Sequence, residues 1–80
     1  MTKRKIDEMI TSISSEWKVK VLVDTSFDKD YGECYPDSNE ILLSDIYSNC
    51  NIKLAVFLHE LSHIITLRRS GQRYLAASIF

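Results

Sequence analysis

Residues 57–63 read FLHELSH, and the fold assignment turns on this stretch. His59 and His63 stand four apart, and Glu60 directly follows the first. On a helix, side chains at i and i+4 project from one face about a turn apart. Two imidazoles in that register reach a single tetrahedral Zn²⁺ through bonds of about 2.0–2.1 Å. Glu60 lies about 100° further round the helix. From there a carboxylate can take a proton from a water activated by the metal and hand it to a leaving amine. In a shuffled chain of this composition the arrangement arises with a probability of roughly 0.0015. His59 and His63 are also the only two histidines in the chain. The competing reading is a solvated helix face that the histidines share with Ser62 and Thr66. Burying both histidines and Glu60 without a function would be costly.

Outward from the motif, Ile52 to Arg69 form a long helical segment, apolar at Leu54, Phe57, Leu58, Leu61, Ile64 and Ile65. A helix apolar over most of its circumference belongs in the middle of a fold. Ser48 or Asn51 can cap its start, Arg68 and Arg69 suit its C-terminal end, and Gly71 can terminate it. A last short helix is predicted over roughly 72–79, apolar at Tyr74, Leu75 and Ile79 and followed by Phe80.

Upstream, residues 2–16 read as an amphipathic helix. Ile6, Met9, Ile10, Ile13 and Trp17 share one face, and Thr2 is its N-cap. In WKVKVLVD, residues 17–24, Trp17, Val19, Val21 and Val23 alternate with Lys18 and Lys20, which predicts a half-buried strand. Residues 25–39, TSFDKDYGECYPDSN, carry the Asp, Gly, Pro and Asn of a polar loop or irregular hairpin connection. Asp28 and Asp30 imitate an EF-hand, but Gly32 falls one position early and Asn39 stands where a bidentate glutamate is required. EILLS, 40–44, is a short strand. The predicted order is α-β-β-α-α, an α+β fold with 1–80 as a single domain.

A chain of 80 residues with 45% hydrophobic and 26% charged residues is ordinary for a globular domain. Seven acids against Lys29 make residues 24–45 acidic, while Arg68, Arg69 and Arg73 make the C-terminal part basic. Charge scattered in this way gives no nucleic-acid footprint. No apolar run reaches the length of a membrane span. The N-terminus, MTKRKIDEMI, has no apolar leader core. Cys34 and Cys50 form no CxxC pair and are too few for a disulfide framework. The expected location is cytoplasmic, with reduced thiols.

Residues 32–67 resemble the core of small zincin metallopeptidases, closest in pattern to the ImmA/IrrE-like and SprT-like proteins of phages and mobile elements. The matching pieces are Gly32 and Cys34, then Ile41, Leu43 and Ser44, then Leu58 to His63. The match covers somewhat under half the chain; HExxH is its specific part and the strand pattern its weak part. The resemblance implies a minimal zincin-like domain: an N-terminal helix, a small β-sheet, a central HExxH helix and a short C-terminal helix. It implies Zn²⁺ as cofactor, His59 and His63 as metal ligands, Glu60 as catalytic base, and a protein or peptide substrate. In zincins the strand beside the active-site helix pairs with extended substrate, and by that analogy 40–44 is the substrate-pairing edge.

The pattern is incomplete. Catalytic zinc normally has three protein ligands and a water. A metzincin needs a glycine at 66 and a histidine at 69, where this chain has Thr66 and Arg69. SprT-like proteins place a third histidine downstream, and gluzincin and ImmA-like proteins a glutamate. The 17 residues after His63 contain no His, Asp, Glu or Cys. The third donor then comes from the acidic loop, from Cys34, from a second copy of the chain, or from the carboxylate of Phe80. The alternative function is a catalytically inactive zincin-like module that binds a protein partner, as a phage-type regulator or inhibitor. A homodimer would bury the apolar stretch LAASIF, and so would packing on the main helix.

Overall fold

The computed structural model describes residues 2–26 and 28–70 of the chain. Helix α1, Lys3–Trp17, starts at the predicted cap: Thr2 Oγ1 accepts from the Lys5 N–H at 3.2 Å. Its predicted face turns inward, with Ile6 and Ile10 buried and Ile13 and Trp17 packed against the same cluster. Lys18 ends the helix in the left-handed region, φ 56°, its N–H donating to the carbonyls of Ser14 and Ser15. The strand predicted from residue 17 therefore begins later. Trp17 is still helical, Lys18 is the cap, and β1 is Lys20–Asp24.

The segment expected to be loop holds a strand. Strand β2 is Gly32–Tyr35, followed by a 3₁₀ turn at Pro36–Ser38 and strand β3, Glu40–Ser44. Its signal was present in the sequence: Tyr31, Glu33 and Tyr35 alternate with Gly32 and Cys34, a period of two that the surrounding Asp, Gly and Pro obscure. Asn39 makes the tight reversal between β2 and β3 possible by adopting φ 54°, which asparagine tolerates better than most residues.

The sheet order is β1-β3-β2, with β3 parallel to β1 and antiparallel to β2. This corrects the expected position of residues 40–44. They form the central strand, hydrogen-bonded on both sides, and no edge is left there for a substrate. The edges among the described residues belong to β1 and β2. Register places Val21, Ile41 and Cys34 in one row across the sheet and Val23, Leu43 and Gly32 in the next. Ile41 and Leu43, both 0% exposed, meet the helices on this face.

Helix α2, Cys50–Ser70, crosses the sheet over β2 and β3 and packs against α1. Its cap is neither of the two residues anticipated. Asn49 Oδ1 accepts from the Ile52 N–H at 3.0 Å, while Ser48 is occupied by Asp30, whose carboxylate takes the Ser48 N–H at 2.7 Å and hydroxyl at 2.6 Å. Phe57, Leu61, Ile64 and Leu67 are buried, but Leu58 is 43% exposed and His59, Ser62 and Thr66 lie on the outer face. The helix is thus buried on one side rather than nearly all round, because one sheet and one other helix cover it among the described residues. Near its C-terminal end, the Arg68 guanidinium donates to the Trp17 carbonyl at 2.7 Å and to Asn39 Oδ1 at 2.9 Å. It ties α2 to the end of α1 and to the β2–β3 turn. Lys53 pairs with Asp7 at 2.9 Å, a second link between the helices. The terminator predicted at Gly71 and the helix predicted at 72–79 lie outside the described residues. No helix among the described residues is long and apolar enough to cross a membrane.

Candidate metal centre

His59 and His63 sit in the middle of α2 on its outer side, His59 exposed and His63 half-buried. Both Nε2 atoms turn toward one another and stand 3.3 Å apart. The ring planes are nearly perpendicular at 84°, with centroids 4.8 Å apart. Two ligands of a tetrahedral zinc with bonds of about 2.0–2.1 Å are separated by roughly 3.3–3.4 Å. The two imidazoles therefore have the spacing that a shared tetrahedral ion requires. The same pair can share a proton instead, one ring donating N–H to the lone pair of the other. At 3.3 Å that hydrogen bond is longer than the usual N–H range of about 2.7–3.2 Å.

The stem of Glu60 lies over β2. A Cβ built on Gly32 would lie 3.6 Å from Glu60 Cγ and 2.5 Å from Val56 Cγ1, so the strand backbone passes directly beneath this part of α2. Only a residue without a side chain permits that approach. Two residues on, Cys34 is buried on the same helix-facing side of β2. Burial pushes the Cys34 thiol up to about 12, aided by the charge of Glu60. The sequence offered Cys34 as a thiolate ligand. The structure instead buries that thiol and holds it protonated.

Among the described residues, no third His, Cys, Asp or Glu joins His59 and His63 in a cluster able to hold a metal ion. Two imidazoles fit zinc in chemistry and spacing, and a complete catalytic ligand set is not assembled from these residues alone. The acidic loop serves structural ends at several positions. Asp24 is held below its ordinary range by hydrogen bonds from the Ser26 hydroxyl and N–H, and Asp30 likewise by Ser48. Glu33 accepts from Tyr31 OH at 3.0 Å and from Tyr35 OH, on the sheet face away from the helices. The Glu33 bond raises the Tyr31 hydroxyl, and burial raises that of Tyr47.

Among the described residues β2 is an edge strand, and its Gly32 lies against Glu60. Tyr31 O accepts from the Ser44 N–H at 3.1 Å, so residues 31, 33 and 35 turn their main-chain groups toward β3. By antiparallel alternation, Gly32 and Cys34 direct theirs to the outer edge. A cleft of about 410 Å³ lies elsewhere, at the C-terminal ends of β1 and β3, lined by Lys3, Val23, Tyr47, Asn49 and Cys50 among others. It takes in the first turn of α2 but neither histidine.

Sequence reasoning found both histidines and Glu60 because i, i+4 geometry is local. It missed the approach of Gly32 to Glu60 and the Arg68 clamp on Trp17, which join residues 28 and 51 positions apart and have no local signal. Comparison with protein-family models, with curated proteins and with solved structures yields no match, so the chemistry of these residues carries the functional reading alone.

Proposed function

We propose that the chain is a zincin-like, zinc-dependent peptidase. His59 and His63 hold the metal and Glu60 is the general base for hydrolysis of a peptide bond. The observation that supports this most is the 3.3 Å separation of the two Nε2 atoms, which suits adjacent ligands of one tetrahedral ion. Zn²⁺, when bound, supplies Lewis acidity that polarises a carbonyl and makes water a better acid. The chain supplies the rest. Glu60 removes a proton from the attacking water as its oxygen adds to the carbonyl carbon. It then delivers that proton to the amine nitrogen as the C–N bond breaks. An extended substrate pairs with the outward N–H and C=O groups of Gly32 and Cys34, so the pairing strand in this reading is β2 in place of β3.

The alternative, an inactive zincin-like module that binds a protein partner, is favoured by one observation: no third ligand stands with the histidines among the described residues. Metal analysis of protein purified without added zinc, together with an assay on an unfolded protein substrate, separates the two. The peptidase reading expects bound zinc, cleavage by the wild type, and a Glu60→Gln variant that keeps the metal and loses the cleavage. Zinc without cleavage identifies the binding module. Absence of metal, with no rise in melting temperature on adding Zn²⁺, removes both.

A further inference from the structure

Strand β1, Lys20–Asp24, reads KVLVD, with a lysine at one end and an aspartate at the other. Among the described residues it is an edge strand, with β3 on one side only. The Lys20 N–H donates to the Asn39 carbonyl at 2.9 Å, so Lys20, Leu22 and Asp24 turn their main-chain groups toward β3. By alternation Val21 and Val23 direct theirs to the open side. Val23 is 59% exposed, although Val21, on the same face, packs against the core cluster. Charges on an edge commonly keep other strands away. On β1 the sign changes from end to end, so an antiparallel copy of the same strand meets attraction at both ends.

We propose that β1 is the contact surface of a homodimer, pairing antiparallel with β1 of a second copy about a two-fold axis at Leu22. Only the outward residues can exchange main-chain hydrogen bonds, so a two-fold pair can set Val21 on Val21, Val21 on Val23, or Val23 on Val23. The first sets Lys20 on Leu22 and carries Asp24 past the end of the opposing strand. The last sets Asp24 on Leu22 and does the same to Lys20. The middle register pairs the whole strand and sets each Lys20 opposite Asp24 of the second copy. There Val21 and Val23 form the hydrogen-bonded pairs. Lys20 with Asp24, and Leu22 with its own copy, are the non-hydrogen-bonded pairs, whose Cα atoms come within about 4.5 Å. Ser26 engages only Oδ1 of Asp24, with its N–H at 2.8 Å and its hydroxyl at 2.6 Å, which leaves Oδ2 for the lysine. Lys20 already neighbours Glu40 within its own sheet, so the pairing extends a row of alternating charge. The contact is isologous and closes on itself. It joins two sheets in the order β2-β3-β1-β1-β3-β2 and leaves each β2 at an outer edge, clear of the strand that the peptidase reading assigns to substrate. A five-residue edge is smaller than a standard interface, so the dimer is weak and dissociates on dilution.

The test is sedimentation equilibrium of the full chain up to millimolar concentration, without added metal. The wild type should show a monomer–dimer equilibrium. Lys20→Glu and Asp24→Lys each set like charges opposite one another, and each should weaken dimerisation about tenfold or more. Mixed in equal amounts, the two variants should form a heterodimer of wild-type strength, since every opposed pair is then of opposite sign. That recovery requires both variants to be folded, so loss through misfolding is told apart from loss of the contact. Under mild oxidation Leu22→Cys should cross-link through its two introduced thiols, because the Cα separation lies within the disulfide range of about 4.4–6.8 Å. Lys20→Cys should not, since its two copies stand about 13 Å apart along the strands. A wild type that is monomeric at millimolar concentration overturns the proposal and leaves the edge to another segment or partner. A dimer indifferent to both charge reversals, a mixture that fails to associate, or cross-linking at 20 in place of 22 overturns it as well. None of these outcomes depends on zinc or cleavage, so the dimer and the peptidase reading fail separately.

Discussion

At Gly32 the constraint is steric. A Cβ there would lie 2.5 Å from Val56 Cγ1, closer than carbon atoms approach, so Gly32→Ala must displace the Val56 side chain or push β2 and α2 apart. Overpacking of this kind costs about 1–3 kcal/mol. Denaturant titration should show that loss, and adding Val56→Ala should recover part of it, since the two side chains compete for one space. At Cys34 the constraint is electrostatic. The folded state holds the thiol protonated, raising it from 9.0 to about 12. The associated stability is complete below pH 9 and is lost as pH rises from there toward about 12. Stability should fall less steeply over that window in Cys34→Ser than in the wild type. Tyr31 and Tyr47 are raised too, but they titrate in both proteins and cancel in the comparison. Parallel curves would refute the assignment. At this scale the sequence revealed His59, Glu60 and His63, whose relation is set within one turn of helix. It concealed what Glu60 lies against, which depends on where a strand 28 residues earlier is placed.

Helix α2 begins at an element boundary that tertiary contacts select. Ser48, Asn49 and Asn51 are all capable caps by residue type. Asp30 engages Ser48, and Asn49 then receives the Ile52 N–H. Replacing Asn49 by alanine should cost about 0.5–2 kcal/mol, whereas Asn51→Ala should stay within about 0.5 kcal/mol. Equal costs in chemical denaturation would show that the cap is shared. Both helices were legible because a periodicity of three and four persists over several turns. Strand β2 was not, although Tyr31, Glu33 and Tyr35 alternate correctly. Four residues hold only two periods, and the flanking turn residues outweigh them. Strand β3 was recognised as a strand but misplaced in the sheet, since its sequence records that it is buried and not which strands lie on either side.

Across the whole molecule, one cluster joins Ile6 and Ile10 of α1, Ile41 and Leu43 of β3, and Phe57, Leu61 and Ile64 of α2. Phe57, 0% exposed, is among its largest members, and Phe57→Ala should cost about 3–5 kcal/mol. A chain of this size has a net stability of about that amount, so the variant should be largely unfolded by far-ultraviolet circular dichroism. His59 is exposed and Glu60 and His63 are half-buried, all outside this cluster. Chelation should leave that spectrum unchanged. Added Zn²⁺ should raise the melting temperature by mass action on the folded state alone, and only while both His59 and His63 are present. The sequence by itself determined the α+β class, the two long helices, the inward faces of α1 and the i, i+4 pairing of the histidines with Glu60 beside them. These follow from periodicity and short-range geometry, which a single segment contains in full. Tertiary structure decided that β3 is central and β2 an edge, that Asn49 caps α2, that Arg68 ties α2 to Trp17 and Asn39, and that Glu60 lies against Gly32. Each of these sets one segment against another, and the energies that choose among such pairings belong to the contact rather than to either sequence.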